Sequence, residues 1–171
     1  MNFIRDVMIL AVSAYILMAC SNERAGEDVI RSYESQQGVV TFRLPPSLVG
    51  RMIGREDPEI QDMFQNMESV KFILVDLKKA GAASNSEFTR EFEERLKTLG
   101  FETLFMTNQE GQAIHVLSLE EEENHVLIIK EIMILLTGQN EFLGLSVSGD
   151  IDPDIMVKAA KEMQLGDFEF E

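Results

Sequence analysis

The stretch His125–Ile151 reads H-V-L-I-I-K-E-I-M-I-L-L-T-G-Q-N-E-F-L-G-L-S-V-S-G-D-I. Two apolar runs rich in Ile, Leu and Val flank a short polar turn, Gly138-Gln139-Asn140-Glu141. Branched residues suit a pleated surface, and a short Gly-containing turn between two such runs predicts a long β-hairpin at the heart of a sheet. Within Val126–Leu136 both alternating sets are apolar. Val126, Ile128, Ile132, Ile134 and Leu136 form one; Leu127, Ile129, Met133 and Leu135 form the other. A sheet with one face in water has one polar set, so both faces of this strand are expected to meet apolar partners, either helices or another protein.

Outward from that hairpin, Phe101–Thr107 and Ala113–Leu119 read as a second hairpin turning around Asn108–Gly111, with Glu120–Asn124 as a charged turn between the two. Val39–Leu44 and Val70–Leu77 read as earlier strands; Pro45-Pro46 ends the first, since neither can donate to a ladder. Helical spacing places Val29, Ile30 and Tyr33 on one face of Glu27–Gln37, and Leu48, Val49, Met52 and Ile53 on a second helix. Asp57-Pro58-Glu59 starts a third, with an apolar stripe of Ile60, Met63, Phe64 and Met67: Asp caps free N–H groups, Pro fits the first position and the acid suits the positive helix end. Ser84-Asn85-Ser86-Glu87 has capping-box spacing ahead of Phe88, Phe92, Leu96 and Leu99. Asp152-Pro153-Asp154 repeats the Asp-Pro start before Ile155, Met156, Ala159, Ala160 and Met163, so Asp152 is expected to cap a last helix. Strands grouped in a run with helices set apart predict an α+β fold: a mixed, largely antiparallel sheet with a C-terminal four-strand meander, helices packed mainly on one face as a two-layer sandwich.

The single cysteine is explained by the N-terminus. Val7–Ala19 is an almost unbroken apolar run, shorter than the roughly 20 residues a spanning helix needs and of the length of a signal-peptide core. It ends Leu17-Met18-Ala19-Cys20, which resembles the lipobox of bacterial lipoproteins. That resemblance implies cleavage before Cys20 and a diacylglyceryl group on its thiol. Acyl chains then supply the anchor, at about 0.8 kcal/mol per buried CH₂. The expected organisation is a signal peptide over 1–19, a lipidated tether over 20–26 and a single α+β domain over 27–171.

Of the 15 Lys+Arg and 30 Asp+Glu, one of each lies in residues 1–20, so the net charge of −15 belongs to the remainder. Such a charge repels phosphate backbones, which excludes nucleic acid as a partner, and it disfavours adhesion to anionic lipid by charge alone. No cysteine beyond Cys20 is left for a disulfide or thiolate metal site.

Gly38-Val39-Val40, Leu99-Gly100-Phe101-Glu102-Thr103-Leu104 and Ser146-Val147-Ser148-Gly149-Asp150-Ile151-Asp152 together carry a resemblance. The chain resembles, over roughly Glu27–Leu165, the small bacterial lipoproteins of the domain of unknown function four-two-five-two, found mostly in Bacteroidetes. The resemblance implies an exported α+β lipoprotein and supplies no catalytic residues.

Other constellations favour ordinary explanations. Asp150, Asp152 and Asp154 alternate as calcium ligands do, but the longer loop with a closing bidentate Glu is absent, and capping with dipole support explains two of the three. Glu120–Glu123 reads as a solvated charge run. His115 and His125 fall at opposite ends of adjacent strands, without H-E-x-x-H spacing. Neither a G-x-S-x-G elbow nor a phosphate-cradling Gly-rich loop occurs. Of the ten Met residues, most of those beyond the signal fall on helix core faces, where Met fills gaps. No catalytic residue, metal or cofactor is expected. The expected function is that of a non-catalytic cell-envelope lipoprotein acting through protein contacts, anchored by lipid at Cys20 to a membrane on its periplasmic face or at the cell surface. The alternative is an envelope binder of a small apolar or lipidic ligand held between sheet and helices.

Overall fold

The central hairpin forms as its turn chemistry demands: β5 (Val126–Thr137) and β6 (Glu141–Ile151) pair antiparallel, with Thr137 opposite Phe142. This computed structural model describes residues 24–53, 57–109, 112–123 and 125–151. Within them β1 (Val39–Leu44), β2 (Met67–Asp76), β3 (Glu102–Gln109) and β4 (Gln112–Glu123) complete one six-stranded sheet in the order β1-β2-β6-β5-β4-β3. Every pairing among the described residues is antiparallel, and β3 to β6 run as the expected meander. The fold is α+β.

Four helices accompany the described sheet: α1 (Ala25–Tyr33), α2 (Pro46–Ile53), α3 (Pro58–Gln65) and α4 (Asn85–Thr98). Two start as their cap residues require. Asp57 Oδ1 accepts from the N–H groups of Glu59 (2.9 Å) and Ile60 (3.4 Å) with Pro58 in the first turn, and Ser84 Oγ accepts from Glu87 N–H at 3.1 Å. Each satisfies donors that a helix leaves free at its start. The helix expected from Asp152 onward lies outside the described residues, as do residues 1–23 with Cys20.

From Ile129 to Leu136 the apolar residues of β5 are buried on both sides and helices lie against both faces, whereas Leu127, nearer the β4–β5 turn, is 64% exposed. On the first face, Val29, Ile30 and Tyr33 of α1 and Phe88, Phe92 and Leu96 of α4 cover Ile73, Leu117, Met133 and Leu135. The Phe88, Phe92 and Phe142 rings meet at 5.0–6.4 Å between centroids, spacings typical of favourable aromatic pairs. On the opposite face, Val49 of α2 and Ile60, Met63 and Phe64 of α3 pack with Val70, Ile132, Ile134 and Val147. The two longer helices thus share one face as the two-layer expectation has it, while the short α2–α3 pair occupies the other. The reason is the one visible in the sequence: a strand apolar on both sides needs cover on both.

Two local readings need correction. Ile129 is buried with Ile132 and Ile134 on the second face, not with Met133 and Leu135, because the β5–β6 register shifts between Ile129 and Glu131. Such a shift marks a bulge, which inserts a residue and reverses the alternation beyond it. Glu120–Glu123 is not a turn: β4 continues through Glu123, pairing Glu121 with Ile128 and Glu122 with Leu127 after a second shift at Leu119/Glu120.

Candidate functional site

The structure separates the two histidines. His125 stands in the β4–β5 turn at φ +67°, its side chain 97% exposed, with Nδ1 3.3 Å from Glu122. His115 lies mid-strand on β4, half-buried, with Nδ1 in contact with the Glu93 carboxylate of α4. Of the three alternating aspartates, Asp150 ends up in β6, and Asp152 and Asp154 lie outside the described residues. The acidic run of β4 is held piecemeal: Glu120 accepts from Ser118 Oγ at 2.9 Å and Glu123 pairs with Lys130 at 2.7 Å. Among the described residues no group of three or more His, Cys, Asp or Glu is placed to hold a metal ion.

A cleft of about 310 Å³ opens between α4 and the β3–β4 hairpin, walled by Ser86, Thr89, Arg90, Glu93, Asn108 and His115 among others. Its polar groups are largely committed to one another. Thr89 and Thr137 share a hydroxyl hydrogen bond at 2.8 Å, Arg90 pairs with Glu94 at 2.8 Å, and Asn85 Nδ2 donates to the carbonyls of Gly138 (2.5 Å) and Gln139. The seam fastens α4 to the β5–β6 turn. With the imidazole fixed by Glu93 and Arg90 drawn to Glu94, the cleft's polar walls serve the fold before any ligand.

The most unusual chemistry lies under the start of α1. Glu131 of β5 is completely buried. Its Oε2 accepts from Gly26 N–H at 3.0 Å and its Oε1 from Ser146 Oγ at 2.5 Å. No side chain of α1's own N-cap, Arg24, closes that helix, so a carboxylate 105 residues away does the work of a cap. The approach is close: a Cβ on residue 26 would stand 2.6 Å from Glu131 Oε1, which only glycine avoids. Burial pushes the Glu131 carboxyl up to about 7; the hydrogen bonds from Ser146, Gly26 and Glu27 pull the other way, and the neighbouring Glu27 charge adds to the rise. Glu27, itself buried, pairs with Arg43 through Oε2, while its Oε1 and the buried hydroxyls of Ser69 and Ser148 have no hydrogen-bond partner among the described residues. Ser69, Ser148 and Glu131 are register neighbours across β2, β6 and β5. Beside them Lys71 donates to Glu34 at 2.7 Å and holds that carboxyl below its ordinary value. A polar belt therefore crosses the sheet beneath α1. Sequence reasoning missed it, although one acid inside a strand apolar on both sides was the available signal.

At the far edge of the sheet, β3 presents Leu104, Phe105 and Met106, 46%, 39% and 63% exposed. Its outer side faces no strand among the described residues. Large apolar side chains on an open strand edge form a surface ready to pair.

The profile of the Domain of unknown function (DUF4252) matches residues 33–159. The chain belongs to this family. The match begins at the last residue of α1 and takes in all six strands. No protein of curated function matches. Among solved structures, that of a protein of unknown function, PA94, from Pseudomonas aeruginosa is similar at 12% identity over 80% of this chain and 85% of that one, with a TM-score of 0.39.

Proposed function

We propose that this DUF4252 protein is a non-catalytic lipoprotein of the cell envelope, held to a membrane by acyl chains on Cys20 and acting through contacts with another protein. The open edge of β3, with Leu104, Phe105 and Met106 presented to solvent, carries the reading. Among the described residues the space between sheet and helices is occupied by the two cores, and the cleft beside α4, mixed in its lining, has its polar groups largely paired with one another, which favours protein contact over the apolar-ligand alternative. The anchor rests on the Leu17-Met18-Ala19-Cys20 sequence. Since α1 begins at Ala25, a tether from Cys20 reaches at most about 20 Å, so the domain works close to the bilayer surface.

The test is made in the native membrane. Labelled palmitate should enter the wild type and not Cys20→Ser, and cross-linking of the anchored protein should give one discrete adduct. Label retained by Cys20→Ser removes the anchor; the absence of any adduct alongside saturable uptake of a labelled fatty acid replaces protein contact by ligand binding.

A further inference from the structure

The edge formed by β3 has a charge pattern as well as an apolar centre. No Lys or Arg occurs between Lys97 and Lys130, while six Glu do. Strand edges are ordinarily blunted by Lys, Pro, inward charges or bulges; β3, E-T-L-F-M-T-N-Q, has neither Lys nor Pro, and beyond a register shift between Thr103 and Phe105 it pairs regularly with β4 from Phe105 to Gln109. Glu102 pairs with Ser118, so β4 continues beyond the start of β3 with Glu120–Glu123. One end of the edge is therefore strongly acidic and its middle apolar. The opposite edge differs: β1 is shorter, carries Arg43, and covers itself by stacking Phe42 on Phe72 with ring centroids 4.9 Å apart.

Resting on the protein-contact reading above, we propose that β3 accepts an extended segment of a partner protein as a seventh strand, and that this segment is apolar opposite Leu104–Met106 and basic where it passes Glu102 toward Glu120–Glu123. Backbone pairing supplies affinity along such an edge and alternate side chains supply selectivity. Long Lys or Arg side chains span the gap left where β3 ends. In antiparallel addition the basic run falls at the C-terminal end of the segment. A second copy of this chain fits less well, since pairing two β3 edges brings together two chains of net charge −15 whose hairpins carry no cation between Lys97 and Lys130.

The test uses the full chain in detergent and two labelled synthetic peptides, alternating Val and Thr followed by a short run of Lys, or by the same run of Glu. The Lys peptide should bind, slow amide exchange across Glu102–Gln109, and lose about tenfold or more in affinity (about 1.4 kcal/mol per tenfold) in Glu121→Lys/Glu122→Lys and in high salt. Met106→Asp, on a position 63% exposed, should abolish binding with little change in the unfolding midpoint. Equal binding of the Glu peptide, unslowed β3 amides, no binding at all, or self-association through β3 would each overturn the proposal. If the peptide fails while the membrane cross-link persists, the protein-contact reading stands and this surface alone is wrong.

Discussion

The two faces of the sheet are built from the same strands and stabilised by different means. The face under α2 and α3 is apolar throughout its centre, with Val70, Ile132, Ile134 and Val147 in one continuous cluster. The face under α1 and α4 joins an aromatic cluster to a polar belt of Ser69, Lys71, Glu131, Ser146 and Ser148 beneath the first turns of α1. An apolar core tolerates small shifts, since its attraction has no direction. A buried carboxylate does not: it needs named donors at hydrogen-bond distance and answers to the proton concentration. Alternation along a strand thus lets one segment serve a pH-indifferent core on one side and a proton-sensitive joint on the other.

The largest expected effects test whether both faces are true cores. Phe92→Ala, on the first face, should cost about 3–5 kcal/mol and Ile134→Ala, on the second, about 2–5 kcal/mol, because each side chain is buried and its removal leaves a cavity. Urea unfolding with unchanged m-values would read both. A cost well below 1 kcal/mol for Ile134→Ala would show that the α2–α3 side is a cover and not a core, and the comparison would break there.

The pH dependence of the polar face follows from Glu131. Between its ordinary value of 4.5 and the folded value of about 7, the native state keeps a proton that the unfolded chain has released. Stability from this group is therefore complete below 4.5 and lost as pH rises through about 7. The shift corresponds to an upper limit of about 3 kcal/mol. Glu131→Gln keeps an oxygen for Gly26 N–H and carries no charge, so it should raise stability at pH 8, leave it nearly unchanged at pH 4.5, and flatten the profile between. Thermal melts across that range would decide; a Gln variant with the wild-type slope would assign the pH response elsewhere.

Smaller effects compare the helices of the two faces. Ser84→Ala at α4 and Asp57→Ala at α3 should each cost about 1 kcal/mol, within the 0.5–2 kcal/mol range of lost caps. Asn at 57 should recover most of the loss, since an amide oxygen also accepts from Glu59 N–H and Ile60 N–H. Chemical unfolding of the single variants measures this, and equal losses for Ala and Asn would point to the carboxylate charge at α3 instead of its hydrogen bonds.

Much of this architecture was legible because it obeys local rules. Val39–Leu44 is a strand within the expected bounds, Asp57 and Ser84 cap as their spacing foretold, and the dual apolar pattern of β5 announced burial on both sides from Ile129 to Leu136, though not at the exposed Leu127. What escaped was decided by register, which residue types do not encode one by one. Four consecutive glutamates suggest a solvated turn, yet pairing with Leu127 and Ile128 carries β4 through them. The bulge beside Lys130 moved Ile129 to the other face. Glu131 was hidden by its neighbours: its role depends on Gly26, which no periodicity links to it. The edge of β3 was equally hidden, because whether L-F-M is core or surface depends on its place in the strand order.

The bond between Gly26 and Glu131 also has a direction in time. With the chain delivered N-terminus first, α1 emerges before any strand, and the acceptor that closes it follows 105 residues later. A nine-residue helix is marginal by itself in water, so through that interval the segment stays open and accessible. The cap of the first helix thus waits for the fifth strand, and the start of the domain, beside the proposed tether, keeps an open helix end until that strand is in place.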